Sequence, residues 1–196
     1  MRADACSVGR AGRARSLATR LLAATLLACA SFTVSAQVPD PVDDPPLSLE
    51  MYGLDEGLSQ LTVSAMTGDD QGFLWVATQD GLNRFDGHRF RAYRNLPDQP
   101  IGGANLVSSS IDSLAFEPQR TRMWLGTNDA GLEVVHLPTW TQRRLGVDDG
   151  LSHARVVRIL LDPAGGAWLG TEAGVDHIDA EVHGARRLGA TGEIVG

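Results

Sequence analysis

The chain has only two cysteines, and both of them, Cys6 and Cys29, lie close to its N-terminus. If the chain is cut after Ala36, the remainder contains no cysteine, which excludes a disulfide and a cysteine-based metal site there. A domain without these cross-links depends on buried apolar surface alone, and that favours a large domain.

Lysine is absent altogether, and acidic residues outnumber basic ones. Met1–Arg20 holds five of the 17 arginines and one of the 24 acids, so residues 37–196 keep 12 arginines and 23 acids, a net charge of −11. A surface of this sign repels phosphate backbones. We therefore predict that nucleic acid is not a partner.

The first residues have the order of a signal peptide. An arginine-rich segment, Met1–Arg20, precedes an apolar stretch, Leu21–Ala30, and small residues follow at Val34–Ala36. We predict that residues 1–36 are a signal peptide, that the protein is exported to the periplasm, and that it is cleaved after Ala36.

Two alternatives to simple cleavage remain at this stage. A membrane anchor needs about 20 apolar residues, and two threonines and a serine interrupt this stretch. A lipoprotein site at Leu26–Cys29 is the other alternative, although Leu27 is larger than the residue usually found there. Residues 37–49 follow with four prolines and three aspartates, which predicts an extended linker rather than a helix or a central strand.

An acidic turn, an apolar run around a tryptophan and a closing glycine occur together three times in the rest of the chain. The copies are DDQGFLWVATQDG (Asp69–Gly81), EPQRTRMWLGTNDAG (Glu117–Gly131) and DPAGGAWLGTEAG (Asp162–Gly174). Aligning them brings three sets into register: Trp75, Trp124 and Trp168; Thr78, Thr127 and Thr171; Val63, Ile111 and Val156. A period of about 40–50 residues with β-prone runs is typical of propeller blades.

The first copy divides into four short strands, approximately Leu61–Thr67, Phe73–Thr78, Leu82–Asp86 and Phe90–Arg94. Glycine, aspartate or asparagine occurs in each intervening turn, as tight hairpins require. Four antiparallel strands form one blade. We predict an all-β fold of about three such blades, at residues 58–95, 105–146 and 151–196, as part of an incomplete ring.

The aligned tryptophans have two interpretations. A ring that recurs in register in every unit usually packs one repeat against the next, and the small residues Ala77, Gly126 and Gly170 lie two positions later. Sugar stacking is the alternative. The turn acid and the aligned threonine are expected to hydrogen-bond to turn backbone.

Two segments carry a resemblance to a known family. GLSQLTV with DDQGFLWVATQDGLNRFDG (within Gly57–Gly87) and GLSHARVVRILLDPAGGAWLGTEAGV (Gly150–Val175) resemble the two-component regulator propeller repeat. The middle copy is looser, because it lacks the GLS opening. The resemblance covers nearly all of Glu50–Asp179.

This resemblance implies the periplasmic sensor region of a hybrid histidine kinase or a diguanylate cyclase. Such regions usually precede an Ig-like sandwich, a membrane helix and a cytoplasmic signalling module. It also implies a ligand that is a small molecule or an oligosaccharide. No kinase or cyclase motif occurs in the chain, so any such activity would belong to the full-length protein.

The blade count predicts that the chain is an N-terminal piece of a longer protein. A propeller needs at least four blades to close, and no obvious final strand occurs in residues 184–196. The expected partners are therefore the remainder of the propeller and a membrane-anchored output module.

Catalytic patterns are missing from the sequence. The five histidines show none of the paired spacings of metal sites, and Gly-x-Ser-x-Gly does not occur. We predict no catalytic residue, no metal and no cofactor.

Two alternatives to a sensor remain. One is an exported propeller enzyme, such as a lyase or a glycoside-active protein, and the other is a gene fragment without function. The turn resembles the Asp-box of sialidases, but Gly68 and Leu74 replace the serine and threonine of that motif.

Any ligand site is expected at the mouth of the central channel, on loops that lead into the first strand of each blade. The predicted ligand-binding residues are Ser59, Gln60, Ser152 and His153, with Asn105–Ser110 at the corresponding place in the middle blade. This prediction comes from analogy with other propellers.

Overall fold

The computed structural model describes residues 48–100, 103–188 and 194–195. The predicted signal peptide and nearly all of the predicted linker lie outside these residues. Glu50–Gly196 forms one compact unit. In its described part the regular structure is β, apart from two 3₁₀ turns at Pro118–Arg120 and Val147–Asp149. No helix that the structure describes is long and apolar enough to cross a membrane.

The strands form three sheets, each of which runs up and down in sequence order. The first contains β1 (Val63–Gly68), β2 (Leu74–Thr78), β3 (Gly81–Phe85) and β4 (Phe90–Tyr93). The second contains β5 (Ile111–Glu117), β6 (Arg122–Thr127), β7 (Leu132–His136) and β8 (Thr141–Leu145). The third contains β9 (Val156–Leu161), β10 (Ala167–Thr171), β11 (Gly174–Ile178), β12 (Ala185–Leu188) and a short β13 (Ile194–Val195).

Four-stranded antiparallel blades are confirmed, and the predicted strand bounds of the first blade agree with the structure to within two residues. The expectation that the third blade lacks its final strand was wrong. Ala185–Leu188 pairs with β11, and Ile194–Val195 pairs with β12 in turn. The fourth strand of the blade carries little of the core, so Arg186 and Arg187 can occupy it and the apolar pattern that would reveal it is absent.

The sequence alignment of the three copies is also the structural alignment. Val63, Ile111 and Val156 lie opposite Thr78, Thr127 and Thr171, and in each blade the register shifts directly after that pair. The same β-bulge therefore recurs at the start of every first strand.

Each tryptophan of the first two blades faces the next blade. Trp75 packs in a cluster with Met123, Leu125 and Val135 of the second sheet. Trp124 packs with Leu169 of the third. The second sheet is therefore covered on both faces, which explains why its strands lack apolar–polar alternation.

The first strands of neighbouring blades pack against one another, β1 on β5 and β5 on β9. Two serines cross these contacts. Ser64 Oγ donates to Ile111 O at 2.5 Å, and Ser113 Oγ donates to Val156 O at 3.0 Å. Gly126 lies beside the second of these bonds, where a methyl group would come within 2.6 Å of Val156 O.

Gly126→Ala is therefore expected to lower the free energy of unfolding by about 1–3 kcal/mol, because the added carbon overlaps Ser113 and the β9 backbone. Chemical denaturation of the 196-residue chain measures this. Gly170→Ala is the matched control at the equivalent position of the third blade, where the new carbon would meet Arg158 Cβ at an ordinary 3.5 Å. Equal losses in both variants would contradict the close approach.

Candidate functional site

The acid of the first turn bonds both the turn and the tryptophan. Asp69 Oδ1 accepts hydrogen bonds from the backbone N–H of Gln71 and of Phe73, both at 2.9 Å. Its other oxygen, Oδ2, accepts from Trp75 Nε1 at 2.7 Å. The expected Asx-type turn is confirmed here, and the indole bond is an additional role that the sequence reasoning missed.

Glu117 has the same role in the second blade with more partners. Its Oε2 accepts from Trp124 Nε1 at 2.9 Å and from Arg122 Nε at 2.8 Å, and Oε1 accepts from Arg120 at 3.1 Å. Burial works to raise the pKa of Glu117, but the hydrogen bonds from Trp124, Arg120 and Arg122 outweigh it and hold that pKa below its ordinary value. The carboxylate is thus a structural anion.

In the third blade a histidine stands beside the acid. Asp162 Oδ1 accepts from the backbone N–H of Ala164 at 2.8 Å, and Oδ2 lies 3.4 Å from His177 Nε2. These contacts lower the pKa of Asp162, the amide of Ala164 most strongly, while burial opposes them. The His177 ring lies 4.4 Å from the ring of Trp168, and Trp168 is only half-buried.

The aligned threonines close the turn at the other end of the strand. Thr78 Oγ1 donates to Gly81 O at 3.1 Å and accepts from the backbone N–H of Asp80 at 3.1 Å. Thr127 and Thr171 make the same two bonds in their own blades. The predicted structural role of these hydroxyls is confirmed.

The glycine of each GLS opening fits tightly against its own blade. Gly57 and Gly150 have φ values of 95° and 97°, a region that side chains disfavour. A β-carbon on either would come within 2.8 Å of Phe90 O or 2.7 Å of Ala185 O respectively. The leucine that follows each glycine is buried, so the motif fastens the entering chain to the blade.

The serine of each opening is bonded inside its blade. Ser59 N–H donates to Asn83 Oδ1 at 3.0 Å, and Ser59 Oγ lies 2.8 Å from Thr78 Oγ1. Ser152 makes the matching contacts, from N–H to Asp176 Oδ2 at 2.8 Å and from Oγ to Thr171 Oγ1 at 2.8 Å.

The middle blade replaces this serine with Val107 and its polar partner with Glu133. Val107 N–H donates to Glu133 Oε2 at 3.2 Å. Glu133 is 1% exposed, and its Oε1 has no hydrogen-bond partner among the described residues. Burial raises the pKa of Glu133 to about 7, against the effects of the Val107 amide and the Arg144 charge.

The residue after each serine position contacts the turn between the second and third strands. Gln60 Oε1 accepts from the N–H of Gln79 at 3.2 Å, and Ser108 Oγ donates to Asp129 at 2.7 Å. His153 Nε2 lies 3.9 Å from Glu172. The four predicted ligand-binding residues thus occupy equivalent places at one end of the strands, and each pair contacts its own blade.

An ion cluster joins the second and third blades at that end. Arg155 Nε contacts Asp112 Oδ2 at 2.7 Å, and Arg155 Nη1 contacts Glu172 Oε1 at 2.7 Å. The two carboxylates raise the pKa of Arg155. His153 adjoins the same Glu172. At this end of the strands the positive charge of Arg155 is therefore paired with the two carboxylates.

Another cavity lies away from these residues. It has a volume of about 670 Å³ and is lined by residues of the turns that contain Glu117 and Asp162. These turns lie at the opposite end of the strands from Ser59 and Ser152. In the part of the chain that the structure describes, no group of three or more His, Cys, Asp or Glu side chains could hold a metal ion.

The sequence reasoning missed two further repeated positions. One is the buried polar residue of the third strand, which is Asn83, Glu133 or Asp176. The other is an arginine of the outer strand, since Arg91, Arg143 and Arg186 each pair with the residue opposite the blade's tryptophan. An alignment of the three copies that continues past the closing glycines Gly81, Gly131 and Gly174 shows both repeated positions.

Comparisons with known proteins agree with this geometry. The model of the two component regulator propeller family matches residues 57–80. The curated Histidine kinase P4 of Formosa agariphila is 56% identical over 43 residues, which are 22% of this chain and 3% of that protein.

Solved structures match a larger part of the chain. The extracellular domain of a protein named as a hybrid two component system from B. thetaiotaomicron has a TM-score of 0.64 and 27% identity. The match covers 69% of this chain and 19% of that one. The extracellular domain of a protein named as a one component system, also from B. thetaiotaomicron, has a TM-score of 0.58 at 22% identity, covers 67% of this chain and 19% of that one, and supports the fold alone.

Three antiparallel sheets, two of four strands and one of five, pack face to face through Trp75 and Trp124 and define a protein of the β-propeller class. Residues 57–80 carry the two-component regulator propeller repeat, as the first GLS opening and acidic turn predicted. The chain spans about a fifth of the length of the solved relatives.

The role of Glu117 generates a pH prediction. Because its folded pKa lies below the ordinary 4.5, its contribution to stability is complete above about pH 4.5 and is lost as pH falls through the folded value. Glu117→Gln should lower the free energy of unfolding by about 1–3 kcal/mol at neutral pH and flatten its fall between about pH 5 and pH 3.

Denaturation curves at several pH values measure this effect. Asp148→Asn is the control, because it makes the same charge change at an exposed residue and should leave the pH profile unchanged. A Glu117→Gln variant with the wild-type profile would show that the carboxylate does not support the turn.

Proposed function

We propose that the chain is part of a ligand-sensing ectodomain of a signal-transduction protein of the two-component type, located outside the cytoplasm. The observation that carries this proposal is the structural match, at 27% identity over 69% of the chain, to the extracellular domain of a protein named as a hybrid two component system. The curated relative, a histidine kinase, supports the same role.

The chemistry of the turns argues against the enzyme alternative. In a catalytic site a carboxylate must be free to exchange a proton or to meet a substrate. Asp69 and Glu117 instead bind turn amides, arginines and indole N–H groups. These acids therefore support each blade, and no observation favours glycoside or lyase chemistry for them.

The third blade presents a face suited to a further blade. Leu160 and Trp168 pair opposite one another on this face, and Leu160 is 69% exposed. In the second blade the equivalent face, centred on Trp124, is covered by the third. We therefore propose that the remainder of the propeller packs on Trp168 in the full-length protein and that a membrane-anchored output module follows.

Leu160→Arg tests that arrangement. The substitution should leave the stability of the 196-residue chain nearly unchanged, because Leu160 is exposed there. In the full-length ectodomain it should cost about 2 kcal/mol or more, since a charge would be buried between blades. Equal stability of the two full-length proteins in denaturant would show that no blade covers this face.

Signalling by the full-length protein tests the ligand site. We expect Gln60→Ala and His153→Ala to weaken the response of a transcriptional reporter to the native stimulus while the ectodomain stays folded. Gln71→Ala and His88→Ala are matched controls, because both residues are exposed and Gln71 lies in a turn at the other end of the strands. An unchanged response in the first pair would contradict a site at the predicted mouth.

A further inference from the structure

A pocket on the flank of the second blade contains two buried acceptors without partners. It has a volume of about 420 Å³ and lies where the segment Gly103–Val107 covers strands β7 and β8. Glu133 and Gln142 both line it. Their oxygens Glu133 Oε1 and Gln142 Oε1 are buried and accept no hydrogen bond from any described residue.

The two side chains share one face of the sheet. Glu133 pairs with Arg144 across β7 and β8, and Gln142 pairs with Val135 two residues along. The orientation of the Gln142 amide is set by its nitrogen, which donates to Gly103 O and to Asn105 O, both at 3.1 Å. The amide oxygen is therefore the atom left over for another donor.

The carboxylate also needs a compensating charge. A buried charge is costly unless a counter-charge and hydrogen-bond donors are present. Arg144 is the charged group that acts on Glu133, but its Nε donates to Ala130 O at 3.0 Å and it forms no ion pair with Glu133 among the described residues. The neighbour of Glu133 on β6 is Leu125, and the covering segment Gly103–Val107 carries no ionisable side chain.

The other lining groups fit a small organic ligand. Trp140 is a further residue of the pocket lining. Trp140 is held in a left-handed backbone conformation, with φ of 53°, and its ring packs on Tyr93 at 4.4 Å. Such backbone strain persists only where surrounding contacts fix it, so this wall of the pocket is preorganised.

We propose that this pocket binds a small primary-ammonium compound, whose N–H groups donate to Glu133 Oε1 and Gln142 Oε1. An ammonium group supplies both the missing donors and the missing positive charge. A neutral alcohol would supply donors alone, and a quaternary ammonium would supply charge alone. The site adjoins Asn105–Ser110, the middle-blade segment at the predicted channel mouth, because Val107 lines the pocket and its N–H donates to Glu133. Its test with a simple ammonium ion does not depend on the sensing role.

The proposal includes a pH dependence. Glu133 must be ionised to pair with an ammonium group, and its pKa in the empty pocket is about 7. Binding should therefore weaken about tenfold for each pH unit below 7 and level off above it. Arg144 keeps its charge throughout this range, so the change reports Glu133.

Titration of the full chain with methylammonium, followed by the NMR signal of the Trp140 indole N–H, tests the site. Saturable shifts are expected with methylammonium but not with tetramethylammonium or ethylene glycol at matched ionic strength. Glu133→Gln should weaken binding at least tenfold and abolish its pH dependence. Gln142→Leu should weaken it as well.

Asp176→Asn is the matched control, because it neutralises the buried acid at the equivalent position of the third blade. It should leave the methylammonium titration unchanged. Glu133→Gln keeps the shape of the side chain and removes an unfavourable buried charge. Loss of binding in this variant would therefore not reflect loss of folding, and near-UV circular dichroism verifies that it stays folded.

Three results would each overturn the proposal: equal binding by wild type and Glu133→Gln, equal shifts with tetramethylammonium or ethylene glycol, or a pocket that holds only water.

Discussion

A carboxylate that bonds an indole N–H fixes the geometry on which the first two blades depend. Asp69 and Glu117 each hold the tryptophan of their own blade, so the ring can turn its full area to the next sheet without a buried, unbonded N–H. Burial of an indole ring removes about 150–250 Å² from water, which is worth about 4–6 kcal/mol as an upper bound. The turn acid thus holds the tryptophan in the position from which it contacts the neighbouring sheet.

The entry of the chain into each blade is fastened as firmly as the turn. In the first and third blades a glycine with positive φ lies against the outer strand. In all three blades a leucine is buried, and a backbone N–H is held by a polar residue of the third strand, Asn83, Glu133 or Asp176. The segment that enters each blade at its first strand therefore also contacts strands farther from that strand. The middle blade, with Val107 and Glu133, keeps the backbone bond but loses the hydroxyl. Glu133 Oε1 and Asp176 Oδ1 are both buried and accept no hydrogen bond from the described residues.

Much of this architecture could be predicted because the blade repeats. Trp75, Thr78 and Gly81 are ambiguous alone, but three aligned copies identify a packing residue, a turn hydroxyl and a turn glycine. The strand Ala185–Leu188 escaped prediction because it lies far from the core between blades and needs no apolar pattern. The Glu133 pocket escaped it for a different reason: its acceptors come from two strands and are buried by a loop, and only coordinates show that both lack donors. The ligand residues at the mouth stay a prediction.

The direction in which the tryptophans point gives the molecule a polarity. The first and second blades each pack a tryptophan on the next blade, and the second blade receives one on its other face, so these contacts are head-to-tail rather than self-complementary. A contact of this kind joins unlike surfaces and, between separate molecules, produces open chains unless a rotation closes them. For a piece of three blades kept apart from its natural neighbours, the same surfaces that order the propeller would favour end-to-end stacking of copies, and concentration would then govern its state of association.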